Sequence, residues 1–366
     1  MSLRDVTGRL SIGKPTLSWE YWDEIKGTES FIFVATTVFV LLWSWLFARA
    51  PITSAVGGYQ SLAVTVLIWG IFAIGFDLLL GQTGLLSFGH AVFWGGGAYA
   101  AGLFSYYVTG DPFLVVIAGI VFALVLAAVV GYIALRRHAV YFAILTLAIG
   151  QFVYFLAVSP LQEITGGYNG FIYVQVEPVA GFINLNQPLP GVLGTLWYDH
   201  LYLFVAVFFV FAVVLATRIV KSPYGLVFRS LRENEQRAAF IGINVWRYKF
   251  MAFILSAVFA GVAGSLYTIH TVFVSVESLY WLISGEVVIM TVLGGLGSVF
   301  GPILGAILYV YVRGVVDGFP IVGPYWFLIL TTLFTVVVWA FPQGLWGIVG
   351  KIGQSLRGLT RRWNDS

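Results

Sequence analysis

The chain contains no cysteine, and only four of its 366 residues are histidine. Disulfides, thiolate metal sites and cysteine nucleophiles are therefore excluded, and the few scattered histidines argue against a metal centre. Charge is also scarce: 10% of the residues are charged, against about 25% in an ordinary soluble domain. No Gly-x-x-x-x-Gly-Lys-Ser/Thr sequence occurs, so the chain has no phosphate loop of its own. Paired acids, a histidine cluster or a nucleophile with its base at membrane depth, as an intramembrane enzyme needs, are missing too. So are the coupling carboxylates, charge ring or selectivity filter of a stand-alone secondary transporter or channel. What the chain has instead is 60% hydrophobic residues and a mean hydropathy of +0.93, which place it in lipid.

Those residues fall in runs of the length at which a helix crosses a hydrocarbon core of about 30 Å with its backbone hydrogen bonds satisfied internally. The shorter alternating segments of a β-barrel are not the pattern. The fold class is thus all-α, a polytopic integral membrane protein. Spans are expected near 31–48, 61–80, 88–107, 113–135, 139–158, 200–219, 250–270, 281–299, 301–316 and 325–341. The count is eight to ten, because the glycine-rich 81–97 and 294–305 segments read equally as re-entrant or broken helices. The membrane domain covers 31–345, between an N-terminal tail 1–30 and a C-terminal tail 346–366.

Basic residues flanking spans stay on the cytoplasmic side. With both termini inside, 17 of the 19 Lys and Arg residues fall inside and only Arg49 and Arg313 fall outside. No Lys or Arg occurs between Arg137 and Arg218, which assigns the 159–199 connection to the exterior. The net charge of +3 therefore reports topology in a cell membrane, not nucleic-acid binding. The N-terminal segment, with Arg4, Arg9, Lys14, Glu20, Asp23, Glu24 and Lys26, is too long and polar for a secretory signal, so the first span is retained.

Four polar features interrupt the apolar runs. The interval 218–249 carries Arg229, Arg232, Arg237 and Arg247 around the run from Glu235 to Gly242. It reads as a cytoplasmic platform that receives force from a soluble partner, or as an amphipathic helix lying on anionic lipid. The segment Gly81-Gln82-Thr83-Gly84-Leu85-Leu86-Ser87-Phe88-Gly89-His90 precedes a small-residue helix with Gly95, Gly96 and Gly97. It is either a break for tight helix packing or a lining of the translocation pathway by Gln82, Thr83, Ser87 and His90. In the external loop, Thr165-Gly166-Gly167-Tyr168-Asn169-Gly170 is a tight turn capping the fifth span, or a surface for an external partner. Charges in the spans are few and costly. Glu286 either gates or contacts a cationic group, or sits hydrogen-bonded; Asp77 pairs with a helix end or a basic residue.

Five stretches in order resemble a known family: Gly81 to Ala91, Thr165-Gly166-Gly167, Leu231-Arg232-Glu233-Asn234-Glu235, Gly242 to Lys249, and Gly294-Gly295-x-Gly297-Ser298-x-x-Gly301-Pro302-x-x-Gly305-Ala306. Together they resemble the LivM-type permease of branched-chain amino acid ABC importers over about residues 60–345. The resemblance implies a transport subunit without enzymatic chemistry, paired with a second, LivH-type permease, two cytoplasmic ATPases that use ATP and Mg, and an external substrate-binding protein. It implies half of a pathway for branched-chain amino acids, while related permeases carry urea, amides or other small solutes. Permeases of this kind present a coupling helix with a loose Glu-Ala-Ala-x-x-x-Gly pattern; here Gln236-Arg237-Ala238-x-x-x-Gly242 keeps the last Ala and the Gly but not the Glu. Small Ala238, Ala239 and Gly242 are expected to permit close docking, with Arg232, Glu233, Glu235 and Arg237 pairing at the rim.

Overall fold

A computed structural model describes residues 19–48, 60–136, 139–185, 187–189, 199–316, 325–340 and 344–347. The tail before Trp19, Arg49, Arg137, the 190–198 part of the external loop and the C-terminal tail from residue 348 lie outside these. Among the described residues there are helices and isolated bridges but no β-strand. Ten helices occupy the ten expected segments: α1 (Trp19–Ala48), α2 (Gln60–Thr83), α3 (Ala91–Tyr107), α4 (Pro112–Ala134), α5 (Ala139–Val158), α6 (His200–Lys221), α9 (Val245–Thr271), α10 (Trp281–Gly294), α11 (Gly301–Val316) and α12 (Trp326–Ala340). Between α6 and α9 stand two short helices, α7 (Pro223–Glu233) and α8 (Glu235–Phe240). α1 starts well before the expected span. Among the described residues, five helices (α2, α4, α5, α6 and α9) are long and apolar enough to cross a membrane by length and composition.

The bundle is built around α2, whose apolar window is 94% buried, while those of α4 and α5 are only 33% and 22% buried. Lipid offers no hydrophobic drive for helices to associate, so they hold together through close backbone approach. The small residues of α3 serve this. A Cβ on Gly97 would lie 2.7 Å from the Gly261 carbonyl of α9, and Ser265 and Thr268 of α9 donate to the α3 carbonyls of Gly97 and Ala98. Trp69 of α2 and Trp94 of α3 stack at 4.7 Å.

Both glycine-rich segments prove to be breaks between helices. Residues 84–90 are irregular, starting at Gly84 with φ +76°, and the next helix begins at Ala91, whose N–H donates to Ser284 Oγ of α10 at 2.8 Å. Irregular backbone at this depth is tolerated because protein surrounds it. Residues 295–300 form the second break, and Trp346 returns to stack on Phe300 there at 5.5 Å.

The connections sort onto two ends of the bundle. At one end the 84–90 break, the α7–α8 pair and the 295–300 turn meet. At the other, the 159–189 segment meets the α3–α4 and α9–α10 connections: Phe171 and Val274 exchange backbone hydrogen bonds at 2.8 and 3.0 Å, and Thr109 donates to Glu177.

Candidate functional site

The α7–α8 pair forms from local signals. Pro223 opens α7, which buries Gly225, Phe228 and Leu231 on one face. Asn234 then caps α8 by accepting from the Arg237 N–H at 2.9 Å, and Asn244 caps α9 in the same way through Arg247 N–H at 3.1 Å. Between the caps, Gly242 turns the chain with φ +88°.

The face this helix presents differs from expectation. Ala238 is 2% exposed and points into the protein, so it packs α8 down instead of meeting a partner. Nothing in this chain lies within 4 Å of a Cβ on Gly242, and its φ of +88° is what the turn's backbone requires. Ala239, Glu233, Gln236 and Arg237 are exposed, whereas Glu235 is held by Lys249 of α9 at 2.5 Å. The projecting groups are Phe240 and Ile241, 89% and 76% exposed, which sequence reasoning missed. Two large apolar side chains at the end of a capped helix, inside a polar interval, were the signal for them.

Arg232, expected at the rim, reaches back instead. Its guanidinium donates to the Gly81 carbonyl at the end of α2. Arg229 Nε donates to Gln82 Oε1 at 3.3 Å, and Gln82 Nε2 donates to the Gly297 carbonyl at 3.0 Å. The Gly297 N–H donates to Asp77 Oδ1 at 2.8 Å. Gly297, with φ +83°, thus offers its carbonyl to Gln82 and its N–H to Asp77. A Cβ on Gly81 would strike the Asp77 carboxylate and the Gly297 nitrogen, so α2 and the turn meet backbone to backbone. The chain of bonds ties α7 to the end of α2 and to the turn between α10 and α11. Asp77 thus pairs with the backbone of the turn between α10 and α11, where a helix end or a basic residue was expected.

The other residues of the 81–90 segment face protein. Thr83 donates to Leu79 O at 2.6 Å, and Ser87 accepts from Gly89 N–H at 3.3 Å. His90, fully buried, has Nε2 2.8 Å from Ser256 Oγ and the rings of Phe76, Phe93 and Phe253 edge-on around it. Gln82 and Thr83 are 1% and 2% exposed, and Ser87 and His90 are fully buried within this chain.

At the opposite end, Thr165 Oγ1 donates to Ala157 O at 2.5 Å and to Leu161 O at 2.9 Å and accepts from Gly167 N–H, closing the end of α5. Gly166 and Gly167 take φ +80° and +56°. Asn169 is exposed beside Tyr168, which is 79% exposed, as is Phe182 at 91%. Glu286 is buried in α10, and its Oε2 lies 3.5 Å from Arg313 Nη1 of α11. Among the described residues no cluster of ligands could hold a metal ion.

An all-helical membrane bundle with an exposed helical connection at one end restricts the families that fit. Residues 58–339 match the family described as branched-chain amino acid transport system / permease component. The chain belongs to this family. It is 32% identical over 351 residues to the high-affinity branched-chain amino acid transport system permease protein LivM of Escherichia coli K12, covering 92% of this chain and 80% of that protein. It is 25% identical over 341 residues to a probable branched-chain amino acid transport permease protein LivM of Methanocaldococcus jannaschii, covering 84% and 92%. A nucleoside ABC transporter permease protein NupC of Lactococcus lactis is 34% identical over 110 residues, 27% of this chain. No solved structure matches. This permease is a membrane transport subunit, and no covalent chemistry is asked of its side chains.

Proposed function

We propose that this permease forms half of a pathway carrying branched-chain amino acids through a cell membrane, in an ATP-driven importer with a LivH-type permease, two cytoplasmic ATPases and an external binding protein. ATP and Mg belong to the ATPases. The observation that carries the reading is the extended similarity to the Escherichia coli permease, over 92% of the chain. The geometry adds a physical role for each end. The α7–α8 end, rich in Lys and Arg, is the cytoplasmic end. There Phe240 and Ile241 project as a knob for an ATPase groove, since exposed apolar side chains that fill a partner's pocket dominate binding energy. At the external end, Tyr168, Asn169 and Phe182 form the surface for the binding protein.

ATP-dependent uptake of radiolabelled leucine into vesicles holding the whole complex tests the reading. Phe240→Ala is the coupling variant to compare, because Ala238→Glu would bury a charge and disturb the fold itself. Uptake that needs ATP and falls in Phe240→Ala while the subunits still co-purify supports both cargo and contact. Leucine uptake without ATP overturns the importer. The partial similarity to NupC makes a nucleoside the competing cargo, with urea as a third; ATP-dependent uptake of either in place of leucine keeps the machine and changes what it carries.

A further inference from the structure

At the end of the bundle that carries α7 and α8, a cavity of about 600 Å³ opens on the surface of α4 and α5, lined by Tyr132, Ile133 and Arg136 at the end of α4 and by Leu145 of α5. The direction of α4 fixes which end this is. Asp111, capping its first turn, accepts from the Ala180 N–H of the 159–189 segment at 2.6 Å, so the helix runs from that segment towards α7 and α8. At its far end Tyr132 meets Trp246, at the start of α9, with ring centres 6.2 Å apart, and Trp246 stacks on Phe250 at 5.0 Å. Tyr and Trp gather at the level where hydrocarbon gives way to lipid head groups.

Three observations point to the occupant. The first is a charge without an acid. Arg136 lies over the Tyr132 ring at 4.2 Å and forms no ion pair among the described residues. No Asp or Glu occurs between Asp111 and Glu163, a stretch that holds α4, α5 and their connection, and Arg136 and Arg137 stand side by side in it. Glu235, at the start of α8, is already held by Lys249. Next, the contact with Tyr132 positions the guanidinium without satisfying its five N–H donors, whose planar fork suits the oxygens of a phosphate. Third, Ile133 begins a line of exposed apolar side chains, Ile133, Val129, Val125 and Phe122, at the spacing of one helix face. α4 and α5 are the two least buried of the membrane-length helices among the described residues. A cationic cavity at the interface thus continues into an open hydrocarbon track.

We propose that this cavity binds the phosphate head group of an anionic phospholipid. The Arg136 guanidinium meets the phosphate, the Tyr132 and Trp246 rings stand at the glycerol level, and an acyl chain runs along Ile133, Val129 and Val125. The apolar track is what selects a lipid over a free phosphate. A zwitterionic lipid brings a cation of its own to a place that has no acid to receive it, so the site favours a head group with net negative charge. The lipid also has something to act on: Trp246 opens α9 just after the Gly242 turn that follows α8, so an occupied cavity steadies the start of α9 next to that connection. The inference needs the chain's place in a membrane and not the identity of its cargo.

The test uses the membrane complex isolated in detergent through a tagged copy of this chain and stripped of lipid. Native mass spectrometry measures the retention of added phosphatidylglycerol against phosphatidylcholine with the same acyl chains. Phosphatidylglycerol is expected to bind about tenfold or more tightly, as one charged hydrogen bond implies. Arg136→Gln is expected to remove most of that advantage, and Tyr132→Leu, which takes away the ring beneath the guanidinium, to weaken it in the same direction. Lys221→Gln, an equal loss of charge at the exposed end of α6, is expected to leave it in place. Equal retention of the two lipids by the unaltered complex overturns the site, and is the result that a partner subunit covering this face would give. An equal fall in Arg136→Gln and Lys221→Gln also overturns it, because diffuse attraction to a basic surface then suffices. Displacement of the bound phosphatidylglycerol by soluble glycerol phosphate would make the cavity a site for a free anion and not for a lipid. Should Arg136→Gln fail to assemble, Tyr132→Leu against Lys221→Gln decides.

Discussion

At position 97 a single methyl group has nowhere to go. Built on Gly97, it would lie 2.7 Å from the Gly261 oxygen and 2.8 Å from the Gly261 Cα, both backbone atoms that cannot swing aside. Gly285 of α10 has nothing within 4 Å of the same atom. Gly97→Ala should therefore cost about 1–3 kcal/mol through overpacking, while Gly285→Ala should be neutral or stabilise by up to about 1 kcal/mol through helix propensity. Thermal unfolding of the purified protein followed by tryptophan fluorescence measures both. Equal midpoints for the two variants would mean that α3 and α9 are not in backbone contact. The same pairwise logic explains His90. Its neighbours are three phenylalanine rings and Ser256, and a polar residue in a glycine-rich break did not announce a cage supplied from α2, α3 and α9.

α7 acts on the bundle through the end of α2. Arg229, Gln82, Gly297 and Asp77 form a continuous run of hydrogen bonds, and Arg232 adds a second tie at Gly81. If α7 and α8 receive the stroke of an ATPase, these bonds pass it to α2 and to the turn between α10 and α11. Gln82→Leu keeps similar bulk and removes both of that residue's bonds. Losing hydrogen bonds to charged groups costs about 1.5–3 kcal/mol, so coupling should weaken by roughly ten- to a hundredfold. The readout is leucine transported per ATP hydrolysed: the ratio is expected to drop while hydrolysis continues. An unchanged ratio would mean that the force takes another route. The helices themselves were largely legible, because runs of apolar residues ended by glycine, proline or asparagine set their limits within the chain. Asn234 and Asn244 cap as such residues do. The ties were not legible, since Gln82 and Gly297 are far apart in sequence and nothing local distinguishes an arginine that reaches back from one that reaches outward. Ala238 was misjudged for the same reason: a small residue permits close packing, but only the fold decides against what.

For the molecule as a whole, the orientation in the membrane rests on the distribution of Lys and Arg, and the absence of cysteine gives a direct way to check it. A single introduced cysteine is the sole thiol of the chain, so labelling reports one place without background. Phe182, 91% exposed, and Phe240, 89% exposed, stand at opposite ends of the bundle, and neither replacement opens a cavity in the core. The two differ in which compartment they face. The bonds between Phe171 and Val274 fix the 159–189 segment to the α9–α10 connection, while Arg232 fixes α7 to the far end of α2; one labelled residue at each end therefore reports its whole set of loops. In intact cells a membrane-impermeant maleimide should label Phe182→Cys and leave Phe240→Cys unreacted until the membrane is permeabilised. The reverse pattern would invert the protein, placing the α7–α8 knob outside, beyond the reach of any cytoplasmic ATPase. Labelling of both in intact cells would put the two ends on one side and break the alternation of helices on which the ten-span arrangement depends. Labelling of Phe240→Cys that is further blocked when the complex is intact, and restored once the ATPases are stripped away, would join orientation to coupling, because only a side chain covered by a partner loses access without the membrane changing.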